Sequence, residues 1–256
     1  MSDNFTLRDQ IKEYWSLRAE AFDAQPGHGI RDGLEKQAWL NMLRREIGAP
    51  QGRKTLDLAS GTGEVSHLLH DYGLQVTGLD WSDNMLAIAR QKAKDRDSDI
   101  TFLTGDAENT REPENSYDLI VNRHLVWTLV DPAAAFKHWH TILKPGGVLL
   151  VIDGDFNNKN LLQRSLKWLS SKFSKAQNPH GSPEMSALHQ SIQDQLYFRK
   201  GARRGAITDL LKETGFSTIS VSTDLREIKK AQAGHMDFFK GLERRASDRY
   251  VIKAVK

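Results

Sequence analysis

Apolar residues along this chain fall into short unbroken runs that alternate with longer stretches in which they recur every three or four positions. Thr55 to Ala59 is one such run, closed by Ser60-Gly61-Thr62-Gly63; Leu68, Leu69 and Tyr72 then mark one face of a helix, and Val76 to Leu79 ends on Asp80. Short runs bounded by turn residues read as buried strands and the wider spacing as amphipathic helix, so the stretch predicts strand, glycine turn, helix, strand. The rhythm continues. Ser82 caps a helix through Met85, Leu86, Ile88 and Ala89, Ile100 to Leu103 is a third strand, and Tyr117 to Val121 a fourth that ends at Asn122-Arg123-His124. Asp131-Pro132 opens another helix, and Val148 to Ile152 is a fifth strand. Such alternation predicts parallel crossover units in a doubly wound sheet.

Both ends depart from that rhythm. Thr6 to Ala24 reads as one amphipathic helix with Thr6 and Asp9 as a capping box; Gln25 to Ile30 breaks it, and a second helix runs from Asp32 to Ile47. These form an N-terminal extension over residues 1–50, ahead of a core at 54–152. From Asp153 to Lys200 the strands stop. Leu162, Leu166, Leu169 and Phe173 make one helical face, Asn178 to Pro183 turns the chain, and Met185, Leu188, Ile192 and Leu196 make another, so residues 154–200 read as a helical lid. A helix from Ala202 to Thr214, a strand from Phe216 to Val221, a helix near Met236 to Leu242 and a last strand, Tyr250 to Val255, complete residues 201–256. We find no linker between domains, so 1–256 reads as a single α/β domain.

Composition narrows the function. With 39% hydrophobic and 27% charged residues the chain is ordinary for a soluble protein, no window approaches a membrane span, and the polar, acidic N-terminus lacks the form of a secretory signal, which makes the cytoplasm the expected location. The absence of cysteine excludes disulfides, thiolate zinc sites and cysteine nucleophiles. The net charge of +3 is uneven: nine cations between Phe156 and Arg204 face only Glu184 and Asp194, a balance of +7 that leaves −4 for the rest.

The glycine turn lets a ligand approach bare backbone while the helix after it points free N–H groups into the same space. Asp80, ending the second strand, is placed to accept from a ribose. A dinucleotide fingerprint would carry a third glycine where this chain has Ser66. Asp57-Leu-Ala-Ser-Gly61-Thr-Gly63, Gly78-Leu-Asp80 with Ser82 and Met85, Gly105-Asp106-Ala107, and Lys144-Pro-Gly-Gly147 instead resemble, in order, the motifs of class I S-adenosylmethionine-dependent methyltransferases of the small-molecule type. The resemblance implies a Rossmann-like, mostly parallel seven-stranded sheet and S-adenosylmethionine as cofactor. It implies that Gly61 and Gly63 admit the methionine part, Asp57 orders the turn, Asp80 holds the ribose hydroxyls, Trp81 covers the adenine beside Met85, and Asp106 with Ala107 reads the adenine edge. Ala59 departs from the family, which often has glycine there. Tyr14 lies in a run that resembles the cofactor-covering N-terminal helix of small-molecule methyltransferases, and Asn122 is counted among the cofactor contacts.

Methyl transfer from a sulfonium needs in-line approach, exclusion of water and sometimes a base. His124, just past the fourth strand, is the candidate base, with Trp127 as a wall; Asp155 is a second catalytic candidate and Asp153 a substrate contact. Lys167, Arg199 and Arg203 of the basic insertion are expected to meet a carboxylate or phosphate on a small, anionic metabolite. His67 and His70 read as surface histidines, and no metal site is expected. Alternatives for the basic insertion are RNA or tRNA, though the Asn-Pro-Pro-Tyr type of motif is missing, and an anionic membrane surface. A non-catalytic nucleoside-cofactor module and a nicotinamide-dependent oxidoreductase are the rival classes. A monomer or a homodimer is compatible with the sequence.

Overall fold

The computed structural model describes residues 6–25, 27–159, 161–173 and 182–256. Lys175 and most of the predicted turn at Asn178 to Pro183 lie outside them, as do Pro26 of the first break and the side chain of Phe173.

Seven strands form one sheet: β1 (Lys54–Leu58), β2 (Gln75–Asp80), β3 (Thr101–Thr104), β4 (Tyr117–Arg123), β5 (Leu143–Gly154), β6 (Ser217–Ser222) and β7 (Arg249–Val255). Their order is β3-β2-β1-β4-β5-β7-β6, with β1 to β5 parallel and β7 antiparallel to both its neighbours. Leu119, Ile120 and Val121 are buried on alternate faces of β4, the signature of a parallel strand covered by helices on both sides. β6 lies at an edge and is polar and mostly exposed, which suits a strand with one unpaired side. β5 runs two residues past its predicted end, so Asp153 belongs to the sheet and not to the insertion.

Trp139 and Phe136 centre the apolar layer on one face, and Trp39, Met42 and Leu69 that on the other. The predicted first helix divides at Arg18 into α1 (Leu7–Leu17) and α2 (Ala19–Phe22), and α3 is Leu34–Ile47. The Thr6–Asp9 capping box is present, with Thr6 N–H donating to Asp9 over 2.9 Å. After the crossover helices α4 (Glu64–Asp71), α5 (Asp83–Asp95) and α6 (Pro132–Ile142), the insertion forms α7 (Leu161–Phe173) and α8 (Pro183–Gln195). α9 (Arg204–Glu213) leads to β6. Between β6 and β7 stand two helices where the sequence predicts one: α10 (Arg226–Ala233) and α11 (Phe238–Ala246).

The insertion does not form one body. α7 packs against α11, whereas α8 packs against α1, where Ile11 and Tyr14 share a small core with Ile192 and Leu196. This third cluster lies apart from the two sheet layers and joins the N-terminal extension to the insertion.

Candidate active site

At the C-terminal ends of β1 and β2 the chain turns three times with positive φ: Ala59 at +54°, Gly61 at +56° and Gly63 at +83°. A β-carbon on Gly63 would come within 3.1 Å of Phe102 and 3.2 Å of Ala89, so the turn needs glycine both for its torsion and for close packing. α4 starts here without a side-chain cap, which leaves its first N–H groups available to a ligand. Gly61 N–H donates to Asp80 Oδ2 at 2.9 Å and Ser82 N–H to Oδ1 at 2.8 Å, fixing the Asp80 carboxylate at the strand end. Burial pushes that carboxyl up to about 6, and Asp57 up to about 7. Ser66, where a dinucleotide fold would have glycine, donates to Asp57 Oδ2 at 2.6 Å.

A cleft opens over this turn, with about 970 Å³ of atom-free space including its mouth, enough for a nucleoside-sized ligand. Met85, Trp81, Asp106 and Ala107 line one side. Asp106 Oδ1 accepts from Glu108 N–H at 2.8 Å, and Arg8 of α1 pairs with both Asp106 and Glu108. The roof is the segment after α2. Asp23 accepts from Thr62 Oγ1 at 2.5 Å and from Lys92 at 2.6 Å, and Ile30 N–H donates to Glu64 at 2.6 Å, which hold Phe22 and His28 over the glycine turn.

A second cleft adjoins the first, and Trp15, His28 and His124 line both. The two imidazoles, with ring centres 6.3 Å apart, stand at the junction. His124 has φ +61°, unusual for a residue with a side chain, and its N–H donates to Ile152 C=O at 3.0 Å. Its Nδ1 has no hydrogen-bond partner and lies 3.6 Å from Asp153 Oδ1. Burial, and then the charges of Arg249 and Arg123, hold its pKa well below the usual histidine value, so the imidazole is neutral at pH 7. Burial pushes Asp153 up to about 7.

The predicted residues divide between the clefts. Asp57, Ala59, Gly61, Asp80, Trp81, Met85, Asp106 and Ala107 line the first, with Gly63 at its turn. Tyr14 lines the second, its hydroxyl accepting from Arg18, and it is the adjacent Trp15 that reaches the first. Asn122 is wholly buried, lines neither cleft, and leaves both amide atoms without partners. Trp127 and Asp155 line the second cleft, but Asp155 accepts from the N–H groups of Asn157 and Asn158 and from the Asn158 amide, so its carboxylate holds the loop after β5. Lys167, Arg199 and Arg203 are exposed and line neither cleft.

Sequence reasoning missed His28, Arg244 and Arg249. His28 sits between two glycines in a segment that reads as a helix break, and nothing local marks two arginines from α11 and β7 as neighbours of a turn near residue 124. His67, expected at the surface, is buried near Phe102 and held down to about 4 by burial. Among the described residues, no group of three acidic or histidine side chains converges on a metal position.

Residues 56–151 match the family described as the methyltransferase domain. The chain is 36% identical over 121 residues to the ubiquinone/menaquinone biosynthesis C-methyltransferase UbiE of Shewanella woodyi, across 45% of this chain and 48% of that one. It is 27% identical over 157 residues to a demethylmenaquinone methyltransferase of Staphylococcus epidermidis, across 60% and 64%. The chain spans about half the length of the first of these relatives. Among solved structures, phosphoethanolamine N-methyltransferase 2 of Haemonchus contortus, bound to phosphomonomethylethanolamine and S-adenosylhomocysteine, superposes with a TM-score of 0.65 at 21% identity over 98% of this chain and 60% of that one. The [4+2]-cyclase SpnF superposes at 0.63 with 16% identity, over 98% and 97%. At these identities the superpositions speak for the fold, and the family match falls on residues 56–151, the stretch that carries the ordered motifs resembling class I S-adenosylmethionine-dependent methyltransferases.

Proposed function

We propose that the protein transfers a methyl group from S-adenosylmethionine to a small, anionic acceptor held in the second cleft beneath the α7–α8 insertion. The carrying observation is the junction of two clefts at His28 and His124, on the carboxyl side of the sheet where open α/β folds bind their ligands. The first cleft suits the cofactor: an anchored Asp80 for two hydroxyls, uncapped N–H groups at α4, apolar walls at Met85 and Trp81, and Asp106 beside them. When bound, the cofactor supplies an electrophilic methyl group.

The chain's own residues orient, shield and deprotonate. Phe22, Trp15 and Trp127 exclude water from the junction, and neutral His124 is the group there able to take the proton that the acceptor loses. Asp153, 3.6 Å away, steadies the imidazolium that results. The name of one superposed neighbour supplies an acceptor to try first, phosphoethanolamine.

Calorimetry with S-adenosylhomocysteine and with NAD tests the reading. Binding of the first and not the second is expected; tight NAD binding with none for S-adenosylhomocysteine would overturn it.

A further inference from the structure

Arg249 opens β7 and is only 7% exposed, yet its Nε has no hydrogen-bond partner and it forms no ion pair among the described residues. Its visible contact is with the Phe156 ring, 5.9 Å from the guanidinium carbon. Burying a cation without a carboxylate is costly, and the cost is written in the burial that pushes its pKa down, with Arg244 and Arg123 adding repulsion.

The acids nearby are engaged elsewhere. Asp248 pairs with Arg204 at 3.1 Å, Glu243 with Lys159 at 3.5 Å, Asp155 is taken up by Asn157 and Asn158, and Glu35 accepts from Gln232 at 2.8 Å. Asp153 is the exception: its Oδ1 accepts from Gly154 N–H and its Oδ2 is buried without a hydrogen-bond partner, but burial has pushed its carboxyl up to about 7, so it carries only part of a charge at neutral pH, and it forms no ion pair with Arg249. Arg244 lies over Gly27, where a β-carbon would sit 3.0 Å from its Cζ and where φ is +92°, so the roof approaches this guanidinium as closely as glycine allows.

Arg249, Arg244 and Lys159 all line the second cleft. We infer that they form an oxyanion seat for a phosphate or carboxylate carried by the acceptor, with Arg249 as its buried fork and Lys159 at the rim. A paired guanidinium and ammonium set matches the geometry and charge of such a group. Phe156 stands beside both His124 and Arg249, its ring centre 5.5 Å from that of His124 and 5.9 Å from the Arg249 guanidinium carbon, so the seat and the candidate base share one aromatic wall. That the bound anion belongs to an acceptor rests on the methyltransferase reading; that the cleft seats an anion does not.

The test is calorimetry on the full chain with inorganic phosphate in one arm and acetate in the other, each with and without S-adenosylhomocysteine, for the wild type and Arg249→Met. The expected result is binding of phosphate, of acetate or of both, weakened about tenfold or more in the variant, as for loss of a charge-assisted hydrogen bond. Phosphate alone identifies a phosphoester as the acceptor's group, and acetate binding admits a carboxylate. S-adenosylhomocysteine affinity should not change. Should Arg249→Met fail to fold, Arg249→Lys, which keeps the charge and loses the fork, takes its place with the same expectation. Failure of both anions to bind the wild type, or undiminished binding in the variant, overturns the proposal. Arg249-dependent phosphate binding by a protein that ignores S-adenosylhomocysteine would leave the anion seat standing and remove the methyltransferase reading.

Discussion

The two clefts share Trp15, His28 and His124 but are built in opposite ways. The first cleft, the proposed cofactor site, is made of strand ends and tight turns, its polar groups are backbone N–H and carboxylates, and its charged centre is negative: Asp57, Asp80 and Asp106. The second cleft, the proposed acceptor site, is made of helices and loops that pack from five separate parts of the chain, and cations outnumber acids among its lining residues, with Arg18, Lys159, Lys240, Arg244 and Arg249. One is organised by hydrogen bonds of known geometry, the other by long side chains brought together through packing. The first arrangement suits a ligand that does not vary, and the second is where specificity can be changed without disturbing the sheet.

The sharpest way to break that division is to disable each cleft alone. Asp80→Ala leaves Gly61 N–H and Ser82 N–H without their acceptor and removes the group placed for two ribose hydroxyls. S-adenosylhomocysteine affinity should fall on the order of a hundredfold or more, by calorimetry, with phosphate binding unchanged. An equal loss in both would mean that the clefts are one cooperative unit. His124→Ala addresses their junction: kcat on an identified acceptor should fall about a hundredfold or more while S-adenosylhomocysteine affinity holds. Turnover at the wild-type rate would leave His124 a wall and not a base.

What could be read from the sequence follows the same division. Asp57, Gly61, Gly63, Asp80 and Asp106 lie within one span of 50 residues, each at a strand end or turn whose local chemistry announces it, and the sheet that carries them follows from the alternation of apolar runs. The acceptor cleft has no such local grammar. Excess charge in the insertion pointed to Lys167, Arg199 and Arg203, but α7 turns Lys167 outward by packing its other face on α11, and the arginines that line the second cleft come from the α1–α2 junction, α11 and β7 instead. Charge counted along a chain does not say which side chains are enclosed; only tertiary packing decides that. Ser66 shows the reverse case, a residue whose identity spoke against the dinucleotide fingerprint and which in the fold holds Asp57.

Titration should move the carboxylates of the first cleft and His28 at the junction in opposite directions. Asp57 and Asp80 have folded-state pKa values raised by burial to about 7 and about 6, so the folded state binds more protons than the unfolded chain between about pH 4 and 7, and their contribution to stability declines as pH rises through that window. His28 is held down to about 3 by burial, so the unfolded chain binds more protons between about pH 3 and 6.5 and stability from this residue grows with pH. Melting temperature followed from pH 4 to 8 should therefore become less favourable at the neutral end for wild type than for Asp57→Asn, and less sensitive to acid in His28→Gln. Identical pH profiles for all three proteins would contradict the burial that sets these groups apart.

The smallest effect tests how closely the cofactor turn is fitted. Ala59 holds φ +54°, a left-handed torsion that costs an alanine roughly 1 kcal/mol more than a glycine, at the position where the sequence departs from the glycine often found in the methyltransferases it resembles. Ala59→Gly removes that strain but also loosens the unfolded chain, which offsets part of the gain. The net expectation is a rise in melting temperature of about 1–3 °C, converted through the usual dependence for a chain of this size. Affinity for S-adenosylhomocysteine should change less than about threefold if the alanine methyl merely lines the cleft. A tenfold gain would mean that the methyl crowds the cofactor and that the turn trades affinity for something else. In that case the first cleft would be a place where this chain departs in function as well as in sequence from the methyltransferases it resembles.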